Sequence, residues 1–89
     1  MIKTKYKTIF EQDVKRAKKR GLDMERLQTV ISLLVEAKPL PPRYRDHPLI
    51  GNYKGHRECH IQPDWLLIYK REPGILILER TGTHADLFN

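Results

Sequence analysis

The last third of the chain combines histidine, arginine and aspartate side chains in a pattern that suits acid–base chemistry on RNA. His60 lies in a strand-like run, Asp64 follows in a turn, and Arg80 and His84 follow the most apolar run of the chain. RNA can be cleaved without a metal when its own 2′-hydroxyl attacks the phosphate, which requires a base, an acid and a cation. Two histidines can carry the protons, and the arginine guanidinium matches the phosphate oxygens.

The four histidines form no recognisable metal-binding motif in the sequence. His56 and His60 lie four residues apart in a strand-like run, which places them about 13 Å apart and too far for shared coordination. The chain has one cysteine and no H-E-x-x-H helix, so the common zinc motifs are absent. We therefore expect no metal site and no cofactor. We interpret Cys59 as a small buried side chain rather than a nucleophile.

Length and composition predict one soluble domain. A chain of 89 residues is the size of a single domain, which we place at residues 1–89. No apolar run approaches the roughly 20 residues that span a bilayer, and the N-terminus lacks the apolar core of a signal peptide. With a single cysteine, the chain is also unlike the small disulfide-rich domains of secreted proteins. We expect a cytoplasmic protein that does not bind a membrane.

The positive charge is concentrated at the start of the chain. The net charge is +6, and residues 1–20 carry eight basic and two acidic side chains, whereas the remaining residues balance. Such a patch favours a polyanionic partner, either nucleic acid or an acidic protein segment. A solvated helix face explains a run of lysine and arginine equally well.

Hydrophobic spacing and capping residues predict two helices in the first half. Thr8 with Glu11 three residues later matches a capping box at the start of the first helix, and Gly21 supplies its end. Asp23 can cap the second helix, which carries a clear apolar stripe and ends before Pro39.

Strand-like runs in the second half predict an antiparallel meander. Residues 57–62, 65–70 and 75–81 are joined by short turns, and residues 3–7 suit an edge strand. We therefore predict an α+β fold with two N-terminal helices packed on a mostly antiparallel sheet of about four strands. The helices can cover one face, so we expect the opposite face to be open and to carry the site. Arg80 has the same strand parity as the apolar positions before it, so either its face is partly apolar or a bulge intervenes.

Three stretches of the second half resemble a known family. HPL at residues 47–49, DWLLIY at residues 64–69 and ERTGTH at residues 79–84 are similar, in this order and spacing, to the YafQ-like toxins of the RelE/ParE superfamily of bacterial type II toxin–antitoxin systems. The resemblance implies a RelE-like fold and a ribosome-dependent, metal-independent endoribonuclease that cleaves translated mRNA. It also implies a cognate antitoxin as partner, the ribosome and mRNA as targets, and operator DNA bound through the toxin–antitoxin complex.

The resemblance also implies a set of functional residues. Those with catalytic roles are His47, His60, Asp64, Arg80 and His84. Those that would contact the RNA are Trp65, Phe88 and Lys54. We expect Arg80 to stabilise the charge that develops on the phosphate and His84 to act as the general acid. His60, with Asp64 nearby, would act as the general base, although the sequence alone would also allow the acid and base to be exchanged.

Two other functions remain compatible with the sequence. A relative of the ParE toxins would act by binding DNA gyrase without catalysis, and a basic domain of this size could simply bind nucleic acid. A fold does not decide between them. The pairing of His60 and His84 with Arg80 favours the enzyme, because a binding protein needs no acid–base pair.

Overall fold

A five-stranded sheet carries two helices on one face in the computed structural model, which describes residues 2–88. The strands are β1 (Lys3–Tyr6), β2 (His47–Pro48), β3 (Arg57–Gln62), β4 (Trp65–Glu72) and β5 (Ile75–Gly82). The helices are α1 (Thr8–Lys19), α2 (Met24–Val35) and α3 (His84–Phe88). The sheet order is β1-β5-β4-β3-β2, with β1 parallel to β5 and the other neighbours antiparallel. The predicted fold class is confirmed, and the short β2 raises the number of strands from about four to five.

The helix ends follow local hydrogen bonding. The prediction that Thr8 caps α1 is wrong, because Lys7 is the N-cap residue and its side chain makes no capping hydrogen bond. The Lys7 backbone N–H still donates to Leu78 of the sheet, so the strand pairing fixes where the helix can begin. Gly21 ends α1 with a left-handed φ of +80°, and the Asp23 carboxylate caps α2, both as predicted. Within residues 2–88, no helix is long and apolar enough to cross a membrane.

The larger core lies between the two long helices and the sheet. It includes Cys59, which is fully buried as predicted, and burial is the main cause that raises the pKa of its thiol. The other large buried side chains of this core include Phe10, Leu27, Val30, Leu34, Trp65, Leu67, Tyr69, Leu76 and Leu78.

The opposite face of the sheet is covered in its centre, so the expectation of an open face is wrong there. Leu66 and Ile68 of β4 are fully buried on this face by Leu87 of α3, with Leu49 and Tyr53 packed against them. The segment between α2 and β3 is therefore not a structureless loop. It contains two short 3₁₀ turns and β2, and it closes an apolar patch that would otherwise face water.

A β-bulge resolves the parity of Arg80. Ile68 of β4 lies opposite Arg80, but the next residue, Tyr69, lies opposite Leu78, so Glu79 is an extra residue in β5. The extra residue moves Arg80 from the helix-covered face, where Leu78 is buried, to the face that Ile68 shares. The bulge predicted as one alternative is confirmed.

A buried carboxylate attaches α1 to the end of β5. β1 pairs with β5 only as far as Leu78, and Asp13 of α1 reaches the strand beyond that point. Its carboxylate is 2% exposed and accepts hydrogen bonds from the Thr81 backbone N–H at 3.2 Å and from Arg80 Nε at 2.8 Å. Arg16 donates a further bond at 2.6 Å. The carboxylate thus replaces the missing strand neighbour of β5.

Replacing Asp13 by asparagine tests this contact. We expect Asp13→Asn to lower the free energy of unfolding by about 2 to 3 kcal/mol, because Arg80 and the Thr81 N–H lose a charged acceptor in a mostly buried site. This value lies below the range for fully buried pairs because Arg80 keeps 17% of its side chain exposed. Urea denaturation measures the change.

The control is Asp23→Asn, which makes the same chemical change at the N-cap of α2. Asparagine caps helices as well as aspartate does, so we expect a change below about 0.5 kcal/mol. Equal effects of the two substitutions would show that the Asp13 contact does not stabilise the fold.

Candidate active site

Three histidines lie in a row along the face of the sheet that the long helices do not cover. His60 of β3 is in the middle, with ring centroids 6.3 Å from His47 of β2 and 5.7 Å from His84 of α3. His60 points to this face because it lies opposite Leu66, which is buried there. The structure therefore brings together three of the predicted catalytic residues, although they come from three separate elements.

Glu58 connects two of these histidines and was not among the predicted site residues. Its Oε1 lies 3.1 Å from His47 Nε2 and 3.4 Å from His60 Nε2. The residue is 4% exposed, and its Oε2 has no hydrogen-bond partner among residues 2–88. A signal was present in the sequence, because residues two apart in a strand share a face, and Glu58 is two residues before His60.

The hydrogen bonds of His47 separate it from the other two histidines. Its Nδ1 contacts the Pro48 carbonyl oxygen at 3.1 Å, and its Nε2 contacts the Glu58 carboxylate at 3.1 Å. Both ring nitrogens of His47 are therefore engaged by the protein. Within residues 2–88, His60 and His84 each contact a single carboxylate through one ring nitrogen, which leaves the other available for proton transfer.

Asp64 orients His84, whereas it was expected near His60 from the sequence. Its Oδ1 accepts from the His84 backbone N–H at 3.0 Å and contacts His84 Nδ1 at 2.6 Å. The backbone hydrogen bond is the largest cause that holds the pKa of Asp64 below its usual value, followed by the ring contact. The carboxylate is therefore ionised at neutral pH, and it leaves His84 Nε2 as the ring nitrogen available to a ligand.

Arg80 is held by the fold but keeps donors for a ligand. Its Nε and Nη2 donate to Asp13 at 2.8 and 3.1 Å, and this hydrogen bonding is the largest cause that raises the pKa of Arg80. Tyr53 lies close enough to contribute in the same direction. A guanidinium has five N–H donors, so three remain beyond the two that Asp13 accepts.

The three residues predicted to contact RNA differ in their exposure. Trp65 is 2% exposed, and its indole N–H donates to Thr81 Oγ1 at 2.9 Å, so the prediction that this ring reaches an RNA base is wrong in this structure. Phe88 is 48% exposed, with its ring 6.5 Å from that of His84. Lys54 is exposed at the end of the second 3₁₀ turn. Only the last two are accessible to a ligand.

A set of hydrogen bonds positions α3, which carries His84. Thr83 and Asp86 cap the helix reciprocally, with backbone-to-side-chain distances of 3.0 and 3.1 Å. Arg20, the C-cap residue of α1, donates to both oxygens of Asp86, at 2.7 and 3.3 Å. A Cβ at Gly82 would lie 2.9 Å from Asp86 Oδ2, so glycine is required here for close packing. The Arg20 contact was not predicted from the sequence.

One group of side chains could hold a metal ion, although no metal site was expected from the sequence. The ligand atoms of His47, Glu58 and His60 all lie within 4.8 Å of one another. His56 is not part of this group, since its Nε2 lies 3.6 Å from Glu79. The spacing of His56 and His60 gave no indication of the group, because His47 becomes a neighbour of His60 only through the pairing of β2 with β3.

Comparison with known proteins places these residues in a family. Residues 2–89 match the family described as "Bacterial toxin of type II toxin-antitoxin system, YafQ". The chain is 50% identical to the mRNA interferase toxin YafQ of Escherichia coli K12 over 84 residues, which cover 93% of this chain and 91% of that relative. The crystal structure of YafQ from E. coli BL21(DE3) superposes with a TM-score of 0.96 at 46% identity and covers all of both chains.

A solved complex is similar over almost the same length. The toxin chain in the crystal structure of the E. coli DinJ–YafQ toxin–antitoxin complex has a TM-score of 0.92 at 47% identity, and the match covers 99% of this chain and 98% of that one. The fold of this chain is thus also the fold of a toxin that has been crystallised with its antitoxin.

The contacts of Asp86 predict a specific dependence of stability on acid. The Arg20 hydrogen bond is the largest cause that lowers the pKa of Asp86, followed by the Thr83 backbone N–H. Because the folded-state pKa is below the unfolded value of about 3.9, the stabilisation is complete above that value and is lost as the pH falls toward the folded pKa. We expect the difference in unfolding free energy between the wild type and Asp86→Asn to shrink as the pH falls below about 4.

Urea denaturation of both proteins from pH 7 to about pH 3 measures this difference. Asp23→Asn, which removes an exposed carboxylate, is the control. A difference between wild type and Asp86→Asn that stays constant over this range would contradict the assignment.

Proposed function

Because the chain belongs to the YafQ family of bacterial type II toxin–antitoxin toxins, we propose that it is an endoribonuclease that cleaves mRNA on the translating ribosome. The observation that supports this most is the pair His60 and His84, whose rings lie 5.7 Å apart and each keep one nitrogen without a hydrogen bond or ion pair among residues 2–88. Both rings line the same cleft, and two proton carriers at one site are what the cleavage of RNA by its own 2′-hydroxyl requires.

The reaction follows from the free ring nitrogens. His60, whose Nε2 faces Glu58, accepts the proton of the 2′-hydroxyl through Nδ1. The 2′-oxygen then attacks the phosphorus, and the bond from phosphorus to the 5′-oxygen breaks. His84 donates the proton to this leaving oxygen through Nε2, while Asp64 holds its Nδ1. The products are a 2′,3′-cyclic phosphate and a 5′-hydroxyl, and the route uses no metal.

Arg80, Phe88 and Lys54 would complete the site around the scissile phosphate. The remaining N–H donors of Arg80 can stabilise the extra negative charge of the phosphorane, and their position is fixed in advance by Asp13. The exposed ring of Phe88 offers a stacking surface for an unpaired base, and Lys54 can contact a neighbouring phosphate. Trp65 has a structural role because it is buried.

A cognate antitoxin is the protein partner that we propose. The E. coli YafQ toxin has been crystallised with DinJ, and α1 of this chain presents an exposed basic surface that an acidic segment could cover. The basic side chains of this α1 surface can contact ribosomal RNA when the antitoxin is absent. The toxin–antitoxin complex would in turn bind operator DNA.

Mapping the cuts in a defined mRNA tests the function. We expect the purified protein to cut at codon-phased positions when ribosomes translate the message, and not in their absence. His84→Gln should lower the cleavage rate by about a hundredfold or more, because it removes a proton donor. His56→Gln is the matched control, since His56 contacts Glu79 away from the proposed pair.

Two outcomes would contradict the proposal. Full activity of His84→Gln would exclude His84 as a proton carrier. If neither condition gives cuts while expression still arrests growth, the protein is a non-catalytic toxin that acts by binding a partner such as gyrase.

The position of Glu58 gives a further prediction for the same assay. We expect Glu58→Gln to lower the rate of ribosome-dependent cleavage by about tenfold. Both rings contact the same carboxylate oxygen, Oε1, and the uncharged amide oxygen of glutamine would hold His47 and His60 less strongly than the carboxylate does. Glu72→Gln, which removes an exposed carboxylate paired with Lys70 at the far end of β4, is the control. Equal rates for the two variants would show that Glu58 does not position His60.

A further inference from the structure

A cleft of about 760 Å³ begins at His60 and His84 and extends away from the row of histidines. It runs along the outer edge of β3, between the turn at Pro63 and the start of α2. Its cationic side chains are Arg26, Arg43 and Arg45. None of these residues belongs to the basic segment of residues 1–20, so the cleft is a second positive region that net charge along the sequence does not reveal.

The arginines of the cleft differ from most others in having little charge compensation. Four arginines elsewhere each contact a carboxylate within 3.1 Å: Arg16, Arg20, Arg57 and Arg80. Within residues 2–88, Arg43 and Arg45 have no carboxylate at salt-bridge distance, and Arg26 meets Asp23 only at 4.0 Å. The protein thus neutralises its structural arginines and leaves the charge of this cleft for a ligand.

Local structure holds two of these arginines in place. The guanidinium of Arg43 lies 4.9 Å from the ring centroid of Tyr44 and donates to its hydroxyl at 3.2 Å. Tyr44 is itself buried, so the ring on which the Arg43 guanidinium packs is held rigidly. Arg45 follows with a left-handed φ of +48°, a conformation that is costly for a side-chain-bearing residue and persists where the surroundings enforce it.

The edge of β3 forms another part of the cleft. Within residues 2–88, β2 pairs only with Arg57 and Glu58 of β3, so the remainder of β3 has no strand partner on its outer side. A register shift between His60 and Gln62 marks an irregularity in the pairing of β3 with β4 at the same place. His60 and Gln62 therefore line an open groove that continues directly from the proposed catalytic pair.

We propose that this arginine cleft binds the phosphates of the single-stranded RNA that flanks the scissile phosphate on one side. The inference rests on the proposed function, because a phosphate placed between His60 and His84 has its next nucleotides at the mouth of the cleft. Guanidinium forks match phosphate oxygens in geometry, and the exposed ring of Pro63 offers an apolar surface to a ribose or base. Continuity with the histidines favours RNA over an acidic protein segment.

Binding of a non-cleavable RNA tests the cleft separately from catalysis. The probe is a fluorescein-labelled 2′-O-methyl RNA of about 12 nucleotides, and its affinity for the full chain is measured by fluorescence anisotropy at several salt concentrations. We expect Arg43→Gln/Arg45→Gln to weaken binding by about tenfold. The slope of log K against log salt should fall by about 1.4, since each phosphate that is no longer neutralised accounts for about 0.7. The RNA affinity of Arg43→Lys/Arg45→Lys, which keeps the charge but loses the guanidinium forks, should lie between that of the glutamine variant and that of the wild type.

The control is Lys38→Gln/Arg71→Gln, which removes the same charge elsewhere. Lys38 follows the C-terminal end of α2 and lies about 18 Å along the helix direction from Arg26, and Arg71 is about 20 Å along β4 from the end that borders the cleft. Each variant is first shown to unfold at the wild-type denaturant midpoint. Equal affinities of the cleft variant and this control would overturn the proposal, as would a cleft variant that keeps its RNA affinity and loses antitoxin binding.

Ribosome-dependent cleavage separates this proposal from the proposed function. If the wild type cuts translated mRNA and the cleft variant shows a KM raised by about tenfold with an unchanged kcat, both are supported. If the wild type cuts and the cleft variant has unchanged KM and kcat, the cleft proposal fails while the function stands. If the wild type makes no cuts, the proposed function fails, and the cleft proposal fails with it.

Discussion

The ion pair between Asp13 and Arg80 is the contact on which both the sheet and the site depend. A carboxylate that is 2% exposed is stable only with its charge and lone pairs compensated, and two arginines and a backbone N–H do this here. The contact holds α1 against β5 where β1 has ended, and it fixes the arginine that a phosphate would meet. The same interaction therefore serves stability and pre-organisation, because a donor that is already oriented needs no rearrangement during the reaction.

Two further carboxylates give the histidines different environments. Glu58 is buried under His47 and His60, whereas Asp64 is exposed and contacts both the ring and the backbone of His84. The sheet supplies the first arrangement through the pairing of β2 with β3. The second depends on α3, a single turn of helix whose Asp86 contacts Arg20 at 2.7 Å and Arg16 of α1 at 3.7 Å. The site thus combines a rigid half on the sheet with a half whose position rests on a few polar contacts.

The sequence predicted the helices and the meander, which short-range patterns determine. It did not predict the contacts between residues that are far apart along the chain. Apolar periodicity and the cap at Asp23 placed both long helices, and short turns placed the meander. The contacts of Asp13 with Arg80 and of Arg20 with Asp86 join residues more than 60 positions apart, so no local pattern reveals them. The family resemblance implied that Trp65 contacts RNA, but Trp65 lies on the helix-covered face of the sheet and belongs to the larger core. In the sequence, the position of Asp13 on the apolar face of α1 was a sign that its carboxylate would be buried and would need a cationic partner.

The chemistry of the cut ends tests the central claim most directly. The protein is allowed to cleave a defined mRNA on translating ribosomes, and the termini of both fragments are identified. Attack by the 2′-hydroxyl between His60 and His84 predicts a 2′,3′-cyclic phosphate, or the 3′-phosphate from its hydrolysis, and a 5′-hydroxyl. A 3′-hydroxyl with a 5′-phosphate would mean that water, not the 2′-oxygen, attacks the phosphorus. That result would contradict the account and would direct attention to the His47, Glu58 and His60 group as a metal site.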